Sequence, residues 1–205
     1  MLAGFVTRWR HGDPIVIVSG LPRSGTSMLM SMLQAGGLEL LTDAARTADV
    51  DNPKGYFELE RVKGLATDPD KSWLRAGRGK GLKVISHLLK YLPPGHRYQV
   101  ILARRDLTEV IDSQDTMLRR SGEDNTLDDD QTRDLYRRHL VNARALLRGR
   151  RDMRALEVHY SGAIDDPKAT AARINRFLGG KLDEAAMAAS VDPTLYRNRS
   201  SNRSP

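Results

Sequence analysis

The chain has 205 residues, 33 of them basic and 26 acidic, for a formal charge of +7, and it contains no cysteine. That length fits one domain, and 40% hydrophobic with 29% charged residues and no low-complexity tract excludes a disordered chain. Disulfides, cysteine-ligated metals and thiol nucleophiles are excluded as well. No run approaches the roughly 18 apolar residues of a membrane span, and residues 1–14 lack an uninterrupted apolar signal core, so a cytoplasmic protein is expected. The excess positive charge is mostly arginine, whose planar fork suits phosphate or sulfate and predicts an anionic ligand.

Ile15–Val18 is a short β-branched run between Pro14 and Gly20 and predicts a buried strand. Met28, Leu29, Met32 and Leu33 then recur at helical spacing, with Gly36 and Gly37 as the stop. Leu38–Leu41 is a candidate short strand, and residues 42–60 read as a polar loop over a site. Further strands are expected over Leu82–Ser86 and Tyr98–Ala103, joined by the Pro93-Pro94-Gly95 turn. Asp106 is the expected N-cap of a helix carrying Val110, Ile111, Met117 and Leu118 and ending near Gly122.

A long helix follows, with Leu135, Tyr136, His139, Leu140, Ala143, Leu146 and Leu147 on its apolar face, and Asp128–Asp130 placed to favour its N-terminus. Arg154–His159 predicts another strand, and Asp166-Pro167 opens a helix that buries Ile174, Phe177 and Leu178. Alternating strands and helices predict a three-layer α/β fold with a mostly parallel sheet and its ligand at the carboxyl ends of the strands. A single domain is expected, with its core at about residues 14–180 and a mobile basic tail over 192–205.

Gly20-Leu21-Pro22-Arg23-Ser24-Gly25-Thr26-Ser27 lies between the first strand and helix, where backbone N–H groups and the helix dipole converge on an anion. The spacing is that of a Walker loop, but Thr26 stands where that loop carries lysine. Arg23 supplies a cation from the other side of the turn.

The stretch PRSGTS at residues 22–27 resembles the 5′-phosphosulfate loop of the sulfotransferases, usually PKSGTT or PRSGTT. The resemblance implies a P-loop-like fold and 3′-phosphoadenosine 5′-phosphosulfate (PAPS) as co-substrate. Arg23, Ser24, Gly25, Thr26 and Ser27 would hold its 5′ end, and Arg23 would stabilise the bridging oxygen as sulfate departs. It also implies a strand-end arginine with a serine eight residues later for the 3′-phosphate, matched by Arg105 and Ser113 in ILARRDLTEVIDSQ. Eight residues span about 12 Å of helix, within reach of a long side chain. The segment LEVHYSGAIDDPKATAARINRFLGG is similar to the family's late strand–helix stretch and places Tyr160 near the adenine, although SGA replaces the usual acidic pair.

Sulfuryl transfer also needs a base, with histidine as the default. KVISHLLKYLP resembles the family's KTHLP segment and points to His87, with Ile85 in the lysine's place and Lys83 two positions earlier. Other branches use a glutamate after the first helix, for which Asp43 and Glu58 are the alternatives. No metal is expected. The polar, glycine-rich loops favour a polar small-molecule or glycan acceptor over a steroid-like one. Two rivals stand beside this reading: a nucleotide or metabolite kinase with a degenerate loop, and a basic nucleic-acid-binding module. Missing loop lysine speaks against the kinase, and 5% aromatic content with scattered arginines speaks against nucleic acid.

Overall fold

A computed structural model describes residues 12–43, 55–122 and 128–196. Four parallel strands form the central sheet: β1 (Ile15–Ser19), β2 (Gly81–Lys83), β3 (Tyr98–Arg104) and β4 (Met153–His159), in the order β2-β1-β3-β4. The register is continuous, with Val18 opposite Lys83 on one side and Ile101 on the other. Described helices are α1 (Thr26–Ala35), α2 (Glu60–Lys63), α3 (Leu107–Ser121), α4 (Asp129–Gly149), α5 (Tyr160–Asp165), α6 (Pro167–Leu178) and α7 (Glu184–Ala189).

Alternation along β1 builds the three layers. Val16 and Val18 face a cluster with Leu29, Met32 and Leu33 of α1, Ile174 of α6 and Met187 of α7. Ile15 and Ile17 face the opposite cluster, with Leu74, Leu82, Val100, Leu102 and Leu147 of α4. A strand buried on both faces has no polar alternation, which is why IVIV reads as a continuous apolar run. After β1 the chain runs to β2 on one side, then crosses to β3 on the other. The crevice at the carboxyl ends of β1 and β3 is therefore the switch point at which such sheets bind ligands.

The expected three-layer α/β class and parallel sheet hold. Several local expectations do not. Leu38–Leu41 forms no strand; only Leu40 makes an isolated parallel bridge to Gly81. β2 stops at Lys83, because the chain turns into a 3₁₀ helix over Ser86–Tyr91. Leu135 is 49% exposed, since α4 buries Leu140, Ala143 and Leu147 and leaves Leu135 off that face. Of the loop over residues 42–60, 44–54 lie outside the described residues; Asp43 pairs its backbone with Glu58 at 3.2 Å.

The tail expected from residue 192 is packed at its start, where Asp192 caps a 3₁₀ turn over Pro193–Leu195 and Tyr196 hydrogen-bonds to Glu109. No described helix is long and apolar enough to cross a membrane. Ile17, fully buried in the central strand, should cost about 2–5 kcal/mol when cut to alanine; urea denaturation of Ile17→Ala against the parent measures this.

Candidate functional site

The loop after β1 folds on its own short-range bonds. Ser24 donates through its hydroxyl to the Leu21 carbonyl at 2.7 Å and through its backbone N–H to the same oxygen at 3.2 Å. Gly20 permits the turn: a Cβ there would lie 2.4 Å from Ser24 Oγ. Gly25 takes φ 96° as the N-cap of α1, and a Cβ on it would meet Tyr160 Cδ2 at 2.4 Å. Gly25 offers no side-chain cap to α1, and the first turn of the helix has no acidic residue. The positive end of the helix dipole therefore carries no carboxylate from its own first turn.

Arg23 sits in this turn with φ 63°, left-handed backbone that a residue with a Cβ rarely adopts. Such strain costs on the order of 1–3 kcal/mol and persists only where the surroundings fix it. Two long-range hydrogen bonds do so: Arg23 Nε donates to Ser113 Oγ at 3.0 Å, and the Arg23 carbonyl accepts from Arg105 Nη1 at 3.2 Å. The loop after β1 and the segment after β3, more than 80 residues apart in sequence, therefore meet through one residue.

The second segment is ordered by its helix. Asp106 caps α3, accepting from the backbone N–H groups of Thr108 at 2.9 Å and Glu109 at 3.3 Å. Glu109 and Ser113, four residues apart, share the face of α3 turned to the loop. Consecutive arginines at the end of β3 diverge. Arg104 pairs with Glu157 of β4 at 3.2 Å, and Glu157 also takes Arg144 at 2.6 Å. Arg105 instead turns to Glu109, with Nε to Oε2 at 2.9 Å and side-chain exposures of 8% and 3%. Its guanidinium lies 4.6 Å from the Tyr160 ring centroid and 5.4 Å from that of Tyr196. Tyr160 and Tyr196 meet edge to face at 5.0 Å. Tyr160 is 7% exposed, walled by Gly25, Arg105 and Tyr196.

Around the start of α1 the structure adds a cation that sequence spacing did not select. Lys83, at the end of β2, is 9% exposed; its Nζ donates to the Tyr56 carbonyl at 2.8 Å and reaches Ser27 Oγ at 3.4 Å and Glu58 Oε1 at 3.5 Å. Glu58 is thereby tied to the loop, whereas Asp43 accepts from the Glu60 backbone N–H at 2.6 Å, a bond at the start of α2. His87 is exposed on the 3₁₀ helix. Its neighbour Ser86 donates its backbone N–H to the Gly20 carbonyl at 3.0 Å, which anchors the start of this 3₁₀ helix to the loop's first residue. Ser86 Oγ in turn contacts His139 Nε2 of α4 at 2.7 Å. Burial, followed by the nearby His87 and Lys90, lowers the His139 pKa from its ordinary 6.5.

The structure thus brings Arg23, Ser24, Gly25, Thr26, Ser27, Arg105, Ser113 and Tyr160 to one edge of the sheet, while His87 follows the residue that bonds Gly20 and makes no described contact with this group. The sequence did not single out Glu109 or Tyr196; Lys83 stood out only as lying two positions from the family's lysine, and His139 only as part of a helix's apolar face. A lysine at a strand end and a glutamate four residues after Arg105 were visible signals. The pairing of Glu109 with Tyr196, 87 residues away, was not.

No protein-family profile matches the chain, and no curated protein resembles it in sequence. Solved structures do match. The sulfotransferase domain from the curacin biosynthetic pathway superposes with a TM-score of 0.53 at 14% identity, over 91% of this chain and 90% of that one. Mouse sulfotransferase SULT7A1, complexed with PAP, gives a TM-score of 0.47 at 16% identity, over 87% of this chain and 62% of that one. The first of these matches shows that the chain has the fold of a sulfotransferase domain.

Because the folded chain holds His139 at a lowered pKa, the unfolded chain binds more protons between that value and 6.5. Stability therefore rises with pH through this window and falls on acidification. The denaturation midpoint should drop between pH 7 and pH 5.5, and less steeply in His139→Gln.

Proposed function

We infer that the protein is a sulfotransferase that takes its sulfuryl group from PAPS. The observation that carries this reading is the joint hydrogen bonding of Arg23 to Ser113 and to Arg105. It makes one site of the two motifs, a 5′ loop and a 3′ arginine–serine pair, that an adenosine bisphosphate would need at its two ends. A fold shared with a sulfotransferase domain supports it.

The residues fit the ligand's charges. The N–H groups at the start of α1 and the Arg23 guanidinium suit the phosphosulfate, and Arg105 with Ser113 suits the 3′-phosphate. In the reaction, the acceptor oxygen or nitrogen attacks sulfur in line. A new bond to sulfur forms, the bond from sulfur to the bridging oxygen breaks, and that oxygen leaves carrying negative charge as part of 3′-phosphoadenosine 5′-phosphate (PAP). Arg23 is the cation placed against that charge, with Lys83 the second cation at Ser27. Loss of one such preorganised donor costs about 2.7–4 kcal/mol, or 10²–10³ in turnover. The acceptor's proton goes to His87, the exposed residue that follows Ser86, whose backbone bonds Gly20. Tyr160 serves by packing under Gly25 and against Arg105, which sets the floor of the nucleotide site. A polar small-molecule or glycan acceptor suits the rim.

Titration calorimetry should find PAP binding that does not require Mg²⁺ and is tighter than that of ATP with Mg²⁺; the reverse order would favour a kinase. With transfer of labelled sulfate to an acceptor as the readout, Arg23→Ala should lower turnover about 10²–10³-fold, far more than it weakens PAP binding. His87→Ala should lower turnover about 10²-fold or more with PAP affinity unchanged. Retained turnover in His87→Ala with loss in Glu58→Gln would move the base to Glu58.

A further inference from the structure

Arg105 is held unusually tightly for a residue that is to greet a phosphate. Its Nε is paired with Glu109 at 2.9 Å, its Nη1 is bonded to the Arg23 carbonyl at 3.2 Å, and two tyrosine rings flank it. A carboxylate that is 3% exposed and in contact with the guanidinium also opposes an arriving phosphate. Glu109 is itself engaged from the far side, where Tyr196 OH donates to Oε1 at 2.7 Å. Burial, followed by its hydrogen bond to Glu109, pushes the Tyr196 phenol up to about 12, so it stays a neutral donor. Tyr196 comes from the last described turn of the chain, while every other member of this group lies just after β3, on α3 or α5, or in the loop after β1.

We propose that Tyr196 is a specificity-determining residue for the 3′-phosphate: it clamps Arg105 from its ring face and draws Glu109 away from it, so that the guanidinium meets the phosphate pre-oriented and only partly neutralised. The physical warrant has two parts. Guanidinium recognition of phosphate depends on a fixed plane, and a flanking ring removes the rotamer freedom that binding would otherwise have to remove. A hydrogen bond to one carboxylate oxygen stabilises negative charge there, which lessens its hold on the cation at the other oxygen. Both effects act on Arg105 directly and reach the 5′ loop only indirectly, through the bond of Arg105 to the Arg23 carbonyl and through Tyr160 against Gly25. The inference rests on the donor reading above, in which Arg105 meets the nucleotide's 3′-phosphate.

The test compares PAP with adenosine 5′-phosphate, which lacks only the 3′-phosphate, by titration calorimetry on the full chain. The parent protein is expected to bind PAP at least tenfold more tightly than adenosine 5′-phosphate. Absence of that preference removes the donor reading, and this inference with it. Given the preference, Tyr196→Ala should lower the PAP-to-adenosine 5′-phosphate affinity ratio by tenfold or more, while adenosine 5′-phosphate binding stays within twofold. Tyr196→Phe, which keeps the ring and loses only the bond to Glu109, should lower the ratio by two- to fivefold; it decides the matter if the alanine variant does not fold. An unchanged ratio in the folded variants, or a parallel loss for both nucleotides, would show that Tyr196 merely supports the fold and would overturn the proposal while leaving the donor reading in place.

Discussion

One arginine in an unfavourable backbone conformation ties this site together. Arg23 occupies left-handed φ within the turn after β1, and its side chain and carbonyl are each bonded to the segment that follows β3. Neither bond is local, so the turn is completed only when β1 and β3 lie side by side and α3 is in place. The parallel pairing of those strands, with Ile15 opposite Tyr98 and Ser19 opposite Leu102, provides that placement. Strain in the loop and assembly of the site are thus the same event, as expected where a fold stores backbone energy at its functional edge.

Charge at this edge is concentrated and partly offset. Arg23, Arg105 and Lys83 converge on the carboxyl ends of the strands, and Glu109 and Glu58 lie against two of them. Buried cations left without compensation would destabilise the fold, and fully compensated ones would have little left for an anion. The two glutamates stand between those limits, and Tyr196 adjusts one of them through its hydroxyl. The same logic separates Arg104 from Arg105. Arg104 is spent on Glu157 between β3 and β4, and Arg105 is turned to the loop.

Much of this was legible in the chain because it rests on local signals. The β-branched run before Gly20, the glycine-bounded loop, the Asp106 cap and the Asp166-Pro167 start each encode their element within a few residues, and each forms where expected. The eight-residue interval from Arg105 to Ser113 turns both residues toward the loop after β1, where the serine meets Arg23 and Arg105 pairs with Glu109. What escaped is what depends on tertiary distance or helical phase. β2 ends two residues before the lysine position suggested by the family pattern, so Lys83 enters from the strand itself. His139 reaches Ser86 because of the phase at which α4 packs, and the same phase exposes Leu135. The segment ending in Tyr196 looks like a polar tail until Glu109 and Tyr160 are seen to receive it.

The most direct measurement of the central claim is a crystal structure of the protein with PAP. The account predicts a single nucleotide lying across the ends of β1 and β3, its 5′-phosphate within hydrogen-bond distance of the turn at residues 23–27 and its 3′-phosphate against Arg105 and Ser113. A nucleotide bound at another face, or one whose two phosphates do not engage both segments, would contradict it.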